Sequence, residues 1–218
     1  MSKVTRWWWI RHAPVINIKG RIYGQTDKDA DVSDTVAMKA LADALPDGAH
    51  WVTSYLSRTI DTAAAIIATG KDAPEPVIER ELVEQNFGDW HGLAWDELRA
   101  ADQQIYKDFW AAPGDTAPPG GESVADLITR CAGAIERLTE EHAGRDIVAV
   151  THGGTIRAAM SLALGLSPEQ ALSLRIDNLS LSRLDHIDGG ILAYGGKGGS
   201  WRVVTFNNMP GASIASLP

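Results

Sequence analysis

Between Asp146 and Gly154 the chain reads DIVAVTHGG. The run from Ile147 to Thr151 is apolar and β-branched with no polar alternation, so both faces of the strand it forms must be covered. That requirement points to a parallel sheet with helices on either side. The order of the other segments agrees. Residues 5–10 form a second compact apolar run. Residues 34–45 read as a helix, with Val36, Ala40, Leu41 and Ala44 assigned to one face. A short strand, HWVTS, ends at Ser54, and a helix starts near Ser57 and stops at Gly70. From Val124 to Leu138 apolar residues recur at helical spacing, with Ser123 and Asp126 in a capping-box pattern. GGTIRAAMSLALG reads as a helix ended by Gly165. LSLSRLDHI, GILAYGG and WRVVTFN then read as strands joined by glycine turns.

The expected architecture is therefore one α/β domain over residues 1–206. It has a mainly parallel central sheet, helices on both faces, and a tail at 207–218. Residues 86–120 are rich in proline and glycine and contain Trp90, Trp95 and Trp110. They read as a lid-like insertion that covers a site. Alternation along the first strand sends Trp7 and Trp9 to one face and Trp8 to the other. At least two of these three are expected to be buried as strand anchors rather than displayed as an aromatic platform.

Composition excludes several classes of function. The 20 basic and 28 acidic residues leave a net charge of −8 with no Lys/Arg cluster. A nucleic-acid or anionic-membrane surface is not expected. The single cysteine, Cys131, allows neither an internal disulfide nor a multi-cysteine zinc site. No apolar stretch has the length of a secretory signal or a membrane span. A soluble, cytoplasmic protein without metal or cofactor is expected, with a homodimer compatible but not indicated.

In parallel α/β sheets, ligands bind beyond the carboxyl ends of the strands. Three strands end there in polar residues: Arg11-His12, Ser54 leading to Arg58, and Thr151-His152. A neutral imidazole is a competent nucleophile. Two guanidinium forks, a second histidine and a helix N-terminus after paired glycines are the groups that stabilise a phosphoryl group in transfer. Taken alone, His12 reads as an ordinary structural histidine at a strand end; the company it keeps makes it a nucleophile candidate.

RHAP, SYLSRTIDTA, ELVEQNFGDWHG, PGGES and VTHGGTIR, in this order over about residues 7–157, resemble the histidine phosphatase superfamily, the phosphoglycerate-mutase-like proteins. The resemblance implies roles by position. His12 matches the phosphorylated nucleophile, and Arg11, Arg58 and His152 match the phosphate pocket. Glu84 matches the acid that protonates the leaving oxygen. Asn17, Arg21 and Gly153 match substrate-proximal positions. The implied activity is metal-independent hydrolysis of a small phosphorylated metabolite through a phosphohistidine. The alternatives are a mutase-type isomerase and a non-catalytic phosphate-binding module.

Two features qualify the match. Ala13-Pro14 replaces the usual glycine and polar residue after the histidine. Glu84 and His152 are 68 positions apart. Between them lie Arg99, Lys107 and Arg130 but no Arg-Arg pair for a second phosphate, unlike the longer insertion of cofactor-dependent mutases. The chain is thus more similar to short phosphatases of the α-ribazole phosphatase type. Of the remaining histidines, His91 is expected in a loop, and His50, His142 and His186 at the surface.

Overall fold

The computed structural model describes residues 3–16, 18, 20–190 and 200–211. Asn17 and the GILAYGG segment past Gly190 lie outside them, as does the tail past Gly211. The strands are β1 (Val4–Arg11), β2 (His50–Thr53), β3 (Val77–Ile78), β4 (Asp146–Thr151), β5 (Leu181–Ile187) and β6 (Trp201–Asn208). They form one sheet in the order β3-β2-β4-β1-β5-β6. β3, β2, β4 and β1 are mutually parallel, whereas β5 and β6 add an antiparallel edge. The sheet is therefore mainly parallel, as the uninterrupted apolar strands require. β6 carries the chain through Asn208, so the ordered sheet reaches two residues past the expected boundary at 206.

Helices cover both faces. α5 (Val124–Glu141) and α6 (Gly153–Leu164) pack on one side, through Leu127, Cys131, Ile135 and Ile156 against Trp7, Trp9, Ile147 and Ala149. α1 (Thr35–Ala44) and α2 (Ser57–Ala68) pack on the other, against Trp8, Ile10, Trp51, Val148 and Val150. The buried face of α1 is Met38, Leu41 and Ala42, continued by Leu45; Val36 is 77% exposed. The expected face was thus out of phase. Positions 38, 41, 42 and 45 follow the i, i+3, i+4, i+7 spacing that keeps one stripe on the sheet. Ser123 and Asp126 form the expected capping box of α5, and Gly165 ends α6 in the left-handed conformation at φ 66°.

Trp7 and Trp9 are fully buried and stack, with ring centroids 4.7 Å apart and planes 6° from parallel. Trp8 faces the opposite side, half-buried, with the Arg183 guanidinium 4.6 Å from its ring and its indole N–H donating to Asp146 Oδ1 at 2.9 Å. The three tryptophans therefore anchor β1 between two cores.

The insertion builds a third, smaller core. α3 (Trp95–Ala101) and α4 (Gln103–Ala111) enclose Ile22, Trp90, Leu98 and Phe109, with Phe87, Leu93 and Tyr106 packed around them. It is tied to the loop after β1 by backbone bonds, Ile22 N–H to Leu93 O at 2.9 Å and Gly92 N–H to Ile22 O at 2.7 Å. α7 (Pro168–Leu172) starts with its own capping box at Ser167. No helix among the described residues is long and apolar enough to cross a membrane.

Truncating a fully buried aromatic removes its transfer free energy and leaves a cavity. Trp7→Ala is expected to cost about 3–5 kcal/mol of unfolding free energy, and Trp8→Ala roughly half that or less, since one face of Trp8 is covered only by an arginine. Denaturant unfolding of the two variants measures the difference; equal losses would contradict this division of roles.

Candidate active site

Register decides which side chains meet. In the parallel pair β1–β4, Arg11 lies opposite Thr151. The next residues, His12 and His152, therefore leave the sheet side by side, and the His12 N–H donates to Thr151 O at 2.9 Å. On the other flank of β4, β2 ends one step earlier, with Thr53 opposite Val150. Ser54 then turns the chain into α2, whose second residue is Arg58. His12, Ser54, Arg58 and His152 are all completely buried, and Arg11 is half-buried beside them.

The hydrogen bonds fix both imidazole tautomers. His12 Nδ1 lies 2.7 Å from Ala13 O. A carbonyl can only accept, so Nδ1 carries the proton. Nε2 keeps its lone pair and has no partner among the described residues. His152 is arranged the other way. Its Nδ1 accepts from Arg58 Nε at 3.3 Å, and its Nε2 reaches Ser54 Oγ at 2.8 Å. The two rings are 5.3 Å apart. Arg58 also donates to Thr26 O at 3.0 Å and Gly24 O at 2.5 Å, with its guanidinium 5.0 Å from the Tyr23 ring. Arg11 donates to Ile176 O at 2.6 Å, while its Nε is buried without a protein partner.

Burial, then the Arg58 charge, then that of Arg11, hold His12 low, at about 3, against the one opposing influence of the Ala13 carbonyl. His152 lies well below the ordinary value through burial, then Arg58 and His12. Both rings are neutral at neutral pH.

Glu84 follows a 3-10 turn at Arg80–Leu82. Thr151 Oγ1 donates to Leu82 O at 2.8 Å. Thr155 Oγ1 reaches Leu82 O and Val83 O, and Arg130 donates to Glu81 O and Val83 O. These bonds hold the turn against the start of α6. The Glu84 carboxylate there accepts from Gly154 N–H at 3.0 Å and from Gln85 N–H at 3.0 Å. A methyl group on Gly154 would sit 2.1 Å from Glu84 Oε1, so only glycine permits this seat.

A cleft of about 380 Å³ is lined by Arg11, Glu84 and Arg157 together with Arg21, Ile22, Tyr23, Phe87 and Trp95. Sequence reasoning missed Gly154, Arg157 and Asn178. Arg157 donates through Nε to Leu174 O at 2.9 Å; a Cβ on Gly153 would lie 3.7 Å from its Nη1 and 3.6 Å from Arg11 Nε. Burial lowers Arg157, Glu84 raises it, and Arg11 lowers it further. The VTHGGTIR segment held the signal, because an arginine one helical turn after Gly153 returns to the same face. Asn178 donates from Nδ2 to His12 O at 2.7 Å, a contact across 166 positions with no local signature.

Gly153 lies between two arginines, and the backbone contact toward Glu84 comes from its neighbour. Arg21 reaches the cleft rim, but its guanidinium is paired twice with Glu97, at 2.8 and 3.0 Å, and bonded to Gly92 O. Ala13 is fully buried in the second core and its N–H donates to Thr62 Oγ1. The methyl group of Ala13 thus sits in the core and is not among the groups that line the cleft, and Pro14 is exposed. His91 is the expected loop residue, accepting at Nε2 from Gln25 and Phe87 N–H groups. His50 and His142 are half-buried and stack on each other at 3.9 Å, a pairing that lone histidines in sequence do not announce.

Against known proteins, the family model for the histidine phosphatase superfamily (branch 1) matches residues 7–194. The chain is 33% identical over 162 residues to a metal-independent phosphoserine phosphatase of Arabidopsis thaliana, covering 72% of this chain and 68% of that one. It is 30% identical over 174 residues to a 2,3-bisphosphoglycerate-dependent phosphoglycerate mutase of Gloeobacter violaceus, covering 77% and 80%. The α-ribazole phosphatase of Shigella flexneri superposes with a TM-score of 0.74 at 24% identity, over 94% of this chain and 98% of that one, and shares the fold.

His12, His152, His50, His142 and His91 all bind protons less readily in the folded protein than in the unfolded chain. Below the unfolded value of about 6.5 the unfolded chain takes up more protons. Stability present above that pH is therefore lost as the pH falls, down to about 3 for His12. The denaturation midpoint is expected to drop steadily from pH 7 to 4.5, and less steeply in His12→Asn. A flat or rising profile would contradict the assigned neutral state.

Proposed function

Because the chain belongs to the histidine phosphatase superfamily, we propose that it hydrolyses a small phosphorylated metabolite as a metal-independent phosphomonoesterase. The observation that carries this reading is the His12 imidazole. Its proton is held on Nδ1 by Ala13 O, and its free Nε2 sits buried among Arg11, Arg58 and His152. The reading also draws support from the Arabidopsis relative named as a metal-independent phosphoserine phosphatase.

In the proposed reaction Nε2 attacks phosphorus and forms an N–P bond as the ester P–O bond breaks. Arg11 and Arg58 hold the phosphoryl oxygens, and developing charge on those oxygens is met by donors already in place. The departing alkoxide takes a proton from Glu84. The resulting carboxylate then takes a proton from water, which attacks the phosphohistidine, releasing inorganic phosphate and restoring His12. Mutase-type transfer would use the same intermediate but needs a second set of phosphate ligands. Arg99, Arg130 and Arg137 in the intervening segment are paired with Asp96, Glu122 and Glu79, and Lys107 of α4 is not among the residues that line the cleft, which favours water as the acceptor.

Hydrolysis of p-nitrophenyl phosphate is expected to persist in EDTA and to fall by at least about a thousandfold in His12→Ala. Turnover of a ³²P-labelled ester quenched in alkaline denaturant should label the wild type on His12, in an acid-labile form; full activity in the variant would sink the mechanism. Gly154→Ala tests the placement of the acid separately. The added methyl must push the Glu84 carboxylate aside, and displacements on the order of 1 Å cost about a hundredfold. The expected outcome is a kcat loss of about ten- to a hundredfold with the fold intact by circular dichroism. Unchanged kcat would remove Glu84 from the reaction.

A further inference from the structure

The cleft sets apolar residues beside charged ones, and the apolar ones bear on the leaving group. Arg11, Arg21, Glu84 and Arg157 line it together with Ile22, Tyr23, Phe87 and the half-exposed Trp95 of α3. Trp95 is not a loosely held side chain. Its indole packs edge-on to buried Trp90 at 6.2 Å, against Trp110 at 5.5 Å and near Phe109 at 6.4 Å. Trp90 and Phe109 lock to each other at 4.8 Å. Trp95 is therefore supported from behind by the third core, and ordering it costs a bound ligand little. A fixed aromatic surface beside the scissile position suits a ring lying against it.

We propose that the phosphomonoester taken by this site has a ring-bearing leaving group that packs on Trp95, Phe87 and Ile22, in preference to a small acyclic alcohol. The inference rests on the phosphomonoesterase reading and adds the substrate class to it.

A pair of esters tests it without interference from leaving-group chemistry. Benzyl and ethyl phosphate both release a primary alcohol, but only one carries a ring. Wild type is expected to show kcat/KM at least about tenfold higher for benzyl than for ethyl phosphate. In Trp95→Ala the benzyl-to-ethyl ratio should collapse toward one, while Trp95→Phe should retain most of it. The ratio cancels any general effect of the substitution on the catalytic groups. A wild-type ratio near one, or a ratio that survives Trp95→Ala, would overturn the proposal. If no ester is hydrolysed and no phosphohistidine forms, the phosphatase reading itself fails, and this inference with it.

Discussion

The site depends on one register: β4 lies between β1 and β2, parallel to both, with Arg11 opposite Thr151 and Thr53 opposite Val150. Three carboxyl ends then stop at nearly the same level of the sheet. The candidate site follows from that coincidence, because His12, His152 and the turn to Arg58 are the first residues past the last ladder bonds. A slip of one residue in either pair would turn alternate side chains to the opposite face. The tryptophans make such a slip costly. Trp7 and Trp9 fill one core and Trp8 faces the other, so a displaced β1 would misplace all three.

The same geometry buries a cluster of groups that would ordinarily be solvated. Arg58 is completely buried, and desolvation alone would disfavour its charge. Its remedy is a set of partners that can only accept: two backbone carbonyls, the lone pair of His152 and the face of Tyr23. None of these is a carboxylate. The guanidinium is satisfied in hydrogen bonding by neutral groups, and burial first, then its charge, keeps the neighbouring imidazoles unprotonated. A buried cation beside neutral histidines is a poor arrangement for stability, of the kind that sites placed for function retain.

The fold was largely readable from the sequence because its signals are local. Uninterrupted apolar strands, helix periodicity, the Ser123 cap and Gly165 each act within a few residues. The strand-end residues were also legible, since a topological rule converts three distant strand ends into one place. What escaped were features set by tertiary contact. The phase of α1 was misread because Val36 and Ala44 are apolar but lie off the stripe that meets the sheet. The seat of Glu84 depends on Gly154 lacking a Cβ, and that is visible only once the loop and helix are juxtaposed. Arg21 has the right type and the right loop, yet Glu97 of the insertion takes its guanidinium, a pairing across 76 positions.

Behind His12, the segment from Ile176 to Ser180 shows how such positioning is enforced. Ile176 O accepts from the Arg11 side chain, Leu179 N–H donates to Arg11 O, and Ser180 O accepts from Arg11 N–H. Asn178 takes the carbonyl of His12. The segment is held in turn by Asn207 of β6, which bonds Asp177 twice, at 2.7 and 2.8 Å. Leu179 and Asn207 are the two non-glycine residues with positive φ among those described, at 60° and 49°. Asparagine adopts this conformation at little cost, whereas leucine does not. A glycine at 179 would relieve the strain but would give up a side chain that packs in the second core beside Ile10 and Ala13. Leucine thus exchanges backbone comfort for a packed contact directly under the strand end that bears His12. Strain of this kind persists only where surrounding bonds over-determine the backbone, and here those bonds converge on Arg11 and His12. The antiparallel edge of the sheet is therefore more than a cover for β1: through Asn207 and Asp177 it sets the position of the residues that the parallel strands deliver.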